Sequence, residues 1–360
     1  MQKGCGKKMR RSRKIFLGLL IAAGLCLGSV YLSEAEENRI RQEVSAQAIS
    51  QNTIIPGGMP VGLYMETEGV LVLGTDKVAS TDGEEKEPAA NIVKSGDYIT
   101  GVDDREIKNK RELLDCVKDM TGEEVILHLT RNGEKIDVKM KPVCSAPKEY
   151  KLGIWVRDNT QGLGTITFLT GDGKFGALGH GIHDSDTNEL FHISKGTLYG
   201  TSIRKIKKGE HGEPGWIEGV IVYNKYNRLG IIEKNTEEGI YGTLSNTDEL
   251  FKNLTPMPGA AKEEVRTGPA VIRCMVEDEI QEYEIAVTEV NLNSREVNKG
   301  FMIQITDEKL LSVTGGIIQG MSGSPILQNG KIVGAVTHVL VNDPTRGYGI
   351  FIENMLEAAE

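Results

Sequence analysis

At 360 residues, with 39% hydrophobic and 26% charged side chains, the chain has material for two cores of ordinary size. The net charge is −9, and because residues 1–14 hold seven Lys/Arg and no acid, the remainder stands at −16. A body that acidic does not hold phosphate backbones by counterion release, and five scattered cysteines without a CxxC form neither a disulfide framework nor a zinc cage.

In chain order, the basic segment 1–14 precedes Ile15–Leu32, an uncharged apolar run of 18 residues that is just long enough to cross a hydrocarbon core. Positive charge before the run predicts a cytoplasmic N-terminus and a body outside the membrane. The expected element is a transmembrane anchor. A cleaved signal is the competing reading, with Ser33-Glu34-Ala35 as a small-x-small site. Ser33 and Glu36 also read as a capping box that opens a polar stalk over 33–53. Both readings export the body.

Residues 54–145 read as an α+β module. Val70–Leu73 is a short strand, Thr75–Glu87 an acidic loop, and Ser95-Gly96-Asp97 a turn before an apolar strand. A helix follows, with Asn109 as N-cap, Glu112 at N3 and Leu113, Leu114, Val117 and Met120 on one face, ending at Gly122. A hairpin turning at Asn132-Gly133 closes the module, and His128 falls on its solvent side. This succession resembles a PDZ domain of bacterial exported proteases. In such domains free backbone N–H groups capture a peptide carboxylate and the peptide adds as a strand. The segment standing in that place is Val61-Gly62-Leu63-Tyr64-Met65, after Met59-Pro60, with Gly62 permitting close approach.

Residues 149–360 consist of short strands and Gly-rich turns, with no long periodic helix before Ile352–Ala359, which suits an all-β barrel or sandwich. Near its end stands Gly320-Met321-Ser322-Gly323-Ser324-Pro325, followed by a hairpin turning at Asn329-Gly330. A serine flanked by glycines on a tight turn exposes its Oγ, and neighbouring N–H groups can converge on an oxyanion. Ser324 is the poorer nucleophile, pressed against the proline. The pattern resembles the nucleophile loop of chymotrypsin-like serine proteases, a mainly-β double-barrel fold. Upstream, Gly176-Ala177-Leu178-Gly179-His180-Gly181-Ile182-His183-Asp184 offers the base: His180 sits between glycines after a small apolar strand, while His183 and Asp184 fall in the polar loop beyond. His180, His183 and Asp184 have the residue types of a metal site but lack an HExxH helix, and no metal or other cofactor is expected.

The membrane anchor, the PDZ-like module, "GALGH" and "GMSGSPILQNGKIVGAVTHVLVNDPTRGYGI" together resemble the stage IV sporulation protein B peptidases of endospore-forming bacteria. The resemblance runs from the anchor to the C-terminus and is most specific over the last 45 residues. It implies a signalling serine endopeptidase in the space between the two forespore membranes. There it would cleave a membrane-bound regulator of an intramembrane protease, and thereby trigger a late sigma factor. It also implies self-cleavage near the N-terminus, which would release the chain from its anchor. The catalytic order carries over to His180, Asp307 and Ser322, with the N–H groups of Gly320 and Ser322 as oxyanion hole and His338 as a cleft wall. Asp307 ends the strand Phe301–Ile305, 15 residues before the serine; Asp184, Asp343 or a bare Ser–His dyad remain alternatives to it. Two other classes stay open: a PDZ-bearing signalling scaffold with an inactive peptidase fold, and a metal-dependent hydrolase using the His180 loop.

Overall fold

Strands of one barrel and strands of the N-terminal module grow from the same backbone in the computed structural model, which describes residues 53–245 and 255–360. The basic segment, the apolar run and all of the stalk but its last residue lie outside the described residues. Among those described, no helix is long and apolar enough to cross a membrane.

Six strands make the first barrel: β1 (Pro60–Thr75), β2 (Ile154–Leu169), β3 (Lys174–Ala177), β4 (Ile193–Lys207), β5 (Arg228–Thr236) and β6 (Gly239–Leu244). Every pairing is antiparallel, in the cyclic order β1-β2-β3-β6-β5-β4, and β4 returns to β1. Val61, Leu63 and Met65 alternate inward along β1 and meet Ile166, Phe175, Leu198, Ile232 and Ile240 in one core.

The second barrel is also six-stranded and closed: β7 (Gly268–Met275), β8 (Ile280–Val290), β9 (Phe301–Ile305), β10 (Pro325–Gln328), β11 (Lys331–Leu340) and β12 (Asp343–Phe351), in the order β7-β8-β9-β12-β11-β10. Ile272, Ile285, Phe301, Ile303, Ile326 and Val336 fill it. The expected helix Ile352–Ala359 is present, and it lays Ile352 and Met355 between the barrels against Phe168, Tyr241 and Leu327. Two such barrels side by side form the chymotrypsin-like arrangement expected for 149–360, with one correction: the first barrel needs β1, which lies well before residue 149.

That correction dissolves the expected boundary between 145 and 149. The first half of β1 is barrel wall, paired with β2 on one edge and β4 on the other, whereas Val70 and Leu71 in its second half pair with Ile99 and Tyr98. There it enters the core of the N-terminal lobe with Val72, Ile99, Leu113, Leu127 and Leu129. The helix Lys110–Lys118 is capped as the sequence indicates, the Glu112 N–H donating to Asn109 Oδ1 at 3.0 Å. The hairpin turns at Asn132 and Gly133, both at positive φ. Asp97 of the Ser-Gly-Asp turn is buried and gripped by Arg131, whose Nε and Nη2 each lie 2.7 Å from a carboxylate oxygen.

The peptide-capturing loop proposed at Val61–Met65 needs correcting as well. That segment lies in the first half of β1, where Gly62 stands between Leu163 and Tyr199 and Leu63 between Gly162 and Leu198. Its N–H groups serve the barrel, and Val61, Leu63 and Met65 are almost wholly buried. Further along β1, Ile154–Arg157 of β2 runs beside Leu71–Thr75, so this chain itself fills an edge to which a peptide could otherwise be added.

Candidate active site

Each barrel contributes one reactive side chain. After β3 the backbone passes through Leu178 (φ 70°) and Gly179 (φ 71°), both left-handed, before presenting His180. A leucine in that region is costly and marks a backbone held by its surroundings: Leu178 N–H donates to Thr165 O at 3.2 Å. From the second barrel, the helix Glu308–Thr314 ends at left-handed Gly315, and the chain then forms the Ser322 turn, with Gly320 at φ +103° and Gly323 at φ +93°. Thr165 of β2 clamps this turn: its N–H donates to Ser322 O (2.9 Å) and its hydroxyl to Gly320 O (2.8 Å).

The result is a cavity of about 250 Å³ walled by His180, Ser322, Gly320, Gln319, Leu63, Met65, Leu163, Leu178 and Ile182, together with Thr160, Gln161 and Gly162. None of the lining side chains is Asp, Glu, Lys or Arg. The expected nucleophile, base and oxyanion donors are therefore brought together. Among the described residues the backbone N–H groups of Gly320 and Ser322 have no hydrogen-bond acceptor, whereas Met321, Gly323 and Ser324 spend theirs on Ile318, Val336 and Met321 carbonyls. Two unspent donors on a glycine-permitted turn can receive a developing oxyanion. Ser324 is fully buried, which removes it as a nucleophile.

His180 Nδ1 donates to the Gly181 carbonyl at 2.8 Å, which leaves the Nε2 lone pair to take a proton. The Ser322 hydroxyl is turned to Thr337 O at 2.9 Å, so one χ1 rotation separates it from the cavity side. Burial pushes the His180 pKa below its ordinary value, and nearby His183 adds to this against the raising effect of the Gly181 carbonyl. A lowered pKa keeps the imidazole neutral to more acid conditions, and the rate falls only as pH drops through that lowered value. The acid limb of kcat/KM should accordingly lie below about pH 6.5; a limb centred above neutrality would contradict the assignment of His180 as base.

The expected triad acid, Asp307, makes its hydrogen bonds to partners other than His180. Asp307 is the N-cap of the helix Glu308–Thr314: Leu310 N–H donates to its Oδ1 (2.9 Å) and Glu284 N–H to its Oδ2 (3.3 Å). One oxygen of this carboxylate caps the helix and the other accepts from strand β8, and neither is bonded to His180. The two alternatives are also engaged. Asp184 is buried, accepts from the Asp186 and Thr187 N–H groups (both 3.0 Å) and pairs with Arg157. Burial works to raise its pKa, but those N–H groups and the guanidinium outweigh it and hold the carboxyl below its usual range. Asp343 accepts from Thr345 N–H (3.2 Å) and Oγ1 (2.6 Å). His183 pairs with Glu237 at 3.2 Å, so His180, His183 and Asp184 do not converge on a metal position.

Two features escaped the sequence. Leu63 and Met65, read as part of a peptide loop, are walls of the catalytic cavity; their strict alternation was the available signal. His338 stands ring to ring with His180, centroids 5.2 Å apart and planes tilted by 40°, although the two lie in different barrels.

The family profile described as SpoIVB peptidase S55 matches residues 148–356. No curated protein matches the chain significantly. Among solved structures, a variant of the HtrA-type protease AlgW with a decapeptide is 11% identical, covering 87% of this chain and 64% of that one at a TM-score of 0.35. The active form of the Rv3671c protease from M. tuberculosis is 15% identical, covering 56% of this chain and 74% of that one at a TM-score of 0.29. This chain thus spans just under two thirds of the length of the AlgW variant.

Proposed function

The chain belongs to the SpoIVB peptidase S55 family of serine peptidases, and from that premise we propose that it is a signalling endopeptidase of sporulation, exported and first held at the membrane by residues 15–32. One observation carries the peptidase reading: Ser322, His180 and two unspent backbone N–H donors meet at one cavity. His180 Nε2 takes the Ser322 proton as Oγ attacks the scissile carbonyl, the Gly320 and Ser322 N–H groups receive the oxyanion, and the imidazolium then gives its proton to the leaving amine. Water repeats the sequence on the acyl-enzyme.

The cavity, free of charged side chains and walled in good part by Leu63, Met65, Leu163, Leu178 and Ile182, supports a protein substrate with an apolar side chain next to the scissile bond. The basic segment and apolar run support residence on the outer face of the membrane. The family resemblance supports a membrane-bound regulator of an intramembrane protease as substrate, with the N-terminal region of this same chain as a second one. A fluorophosphonate probe with mass mapping tests the chemistry: label on Ser322 is expected, and an unlabelled Ser322 in folded protein would leave a scaffold. On a peptide library, replacing the favoured apolar residue by Asp or Lys should lower kcat/KM by about 100-fold or more; equal cleavage would remove the cavity from substrate selection.

A further inference from the structure

We propose that the strand Trp216–Ile221 and the residues just beyond it form an outer recognition site for the substrate polypeptide. The site takes the chain as an added strand that carries apolar side chains several residues from the scissile bond. The inference rests on the peptidase reading of Ser322 and His180 and extends it from the cavity to the surface around its mouth.

Beyond Gly200 the strand β4 leaves the barrel wall, and Thr201–Lys207 pairs with Trp216–Ile221 as a two-stranded arm. This arm touches three lining residues of the cavity in turn. At one end Ile217 N–H donates to Gln319 O (2.9 Å) and Gln319 N–H to Gly215 O (2.8 Å). Midway, Gly219 lies over Leu163, where a Cβ would fall 2.9 Å from Leu163 Cδ1. At the far end the Tyr223 hydroxyl donates to Gln161 Oε1 at 2.6 Å. Gln319, Leu163 and Gln161 all face the cavity. Ile221 seats the arm on β1 at Gly62, where a Cβ would lie 2.5 Å from Ile221 Cδ1.

Two independent features of the arm point to a polypeptide. One edge of Trp216–Ile221 is taken by β4, and among the described residues the other edge meets only the single parallel bridge from Trp216 to Gln319. Glu218 to Ile221 thus present an unpaired strand edge on the side of the nucleophile turn, the form to which an extended chain adds. The second feature is a row of apolar surface: Trp216, Val220, Val222 and Tyr223 are each between 41% and 53% exposed. Single exposed hydrophobics need no explanation, whereas a row of them beside a reaction site marks a contact surface. Tyr223 stands edge-on to Tyr64 and Tyr199, with centroids 5.9 and 5.2 Å away, so this surface is formed in advance. A polypeptide cut at Ser322 continues on both sides of the scissile bond and has to cross what borders the cavity. Two arm cations that could draw it to an anionic bilayer are engaged, Lys207 with Glu213 (3.3 Å) and Arg204 with Glu218 (3.6 Å). The occupant is therefore the substrate chain.

The test compares two fluorogenic peptides on the full chain in detergent. One of about four residues places leucine in the cavity; the other, of about twelve, has the same centre with alternating Val and Thr on both flanks. The longer peptide should show a kcat/KM at least about 30-fold higher. Replacing Val220→Thr and Val222→Thr together keeps the β-branched shape and should cut that advantage about 5- to 10-fold, through KM rather than kcat. If that variant does not fold, the parent protein decides with a long peptide N-methylated at alternate flanking residues. It cannot donate along a strand and should lose about tenfold or more. Equal kcat/KM for both lengths in the parent, or an N-methylated peptide as good as the unmodified one, overturns the proposal. An unmoved length advantage in the folded double variant does so too, and if that variant also loses binding to phosphatidylglycerol vesicles, the arm belongs to a bilayer. A fluorophosphonate that fails to label Ser322 overturns the peptidase reading instead; normal labelling without a length advantage removes this inference alone.

Discussion

Ser322→Ala is expected to abolish peptide hydrolysis, with kcat falling on the order of 10⁶-fold, while the protein keeps its fold. The hydroxyl makes one hydrogen bond, to Thr337 O, and its removal costs about 1 kcal/mol at most in a partly exposed position. Everything else that shapes the turn is backbone: the positive φ of Gly320 and Gly323, and the clamp from Thr165. The oxyanion donors survive the substitution, so a small residual rate above water remains. Active-site titration and a thermal melt on the same preparation check both halves. Undiminished hydrolysis would require another nucleophile, and Ser324, fully buried with an unpartnered hydroxyl, is not available for it.

Gly323→Ala should be worse for the molecule as a whole. A Cβ at that position would lie 2.1 Å from Thr165 O and 2.5 Å from Leu178 N, both backbone atoms that cannot swing aside, and φ is +93°. Those two atoms are bonded to each other across β2 and the His180 turn. Relieving the clash would therefore pry the second-barrel loop away from the strand that carries the base. A loss of more than about 3 kcal/mol in stability is expected, with kcat/KM reduced about 10³-fold or more in whatever remains folded. Gly330→Ala is the matched control: it too has positive φ (76°) but meets nothing within 4 Å, so it should cost only about 1 kcal/mol and leave turnover intact. Urea titrations of the pair discriminate packing from conformational strain. Equal midpoints would mean that the seam at Thr165 is softer than its geometry implies.

His180 and Ser322 were readable because each sits among glycines, and glycine at such density signals a backbone bent for a purpose. The helix Lys110–Lys118, the Asn132-Gly133 turn and the helix Ile352–Ala359 were readable because caps, turn residues and apolar spacing are local properties. What misled was information carried across the fold. Asp307 precedes Glu308-Lys309-Leu310-Leu311, a helix start, and its side chain answers to that local need rather than to His180. Asp before such a run is an N-cap signature. The run Val61–Met65 reads equally as turn or strand until its partners 160–164 and 196–200 are known, and no window around it contains them. The neighbourhood of His338 and His180, 158 positions apart in sequence, is of the same kind.

The long strand β1 also has a consequence for the order in which this molecule can come into being. Its barrel half is laid down first, yet its partners arrive only with residues 154–169 and 193–207, and the ring closes when 239–244 finds β3. The nucleophile and the strand bearing Thr337 and His338 come later still. Contacts of such long sequence separation form slowly, so the chain passes through a prolonged stage in which its amino-terminal half is complete in composition but chemically silent. Self-cleavage of the kind proposed above would have to wait until the carboxyl-terminal strands are in place. A cut between Pro60 and Met65 would sever the strand that supplies Leu63 and Met65 to the cavity, so a processing event that spares the enzyme has to leave that stretch whole.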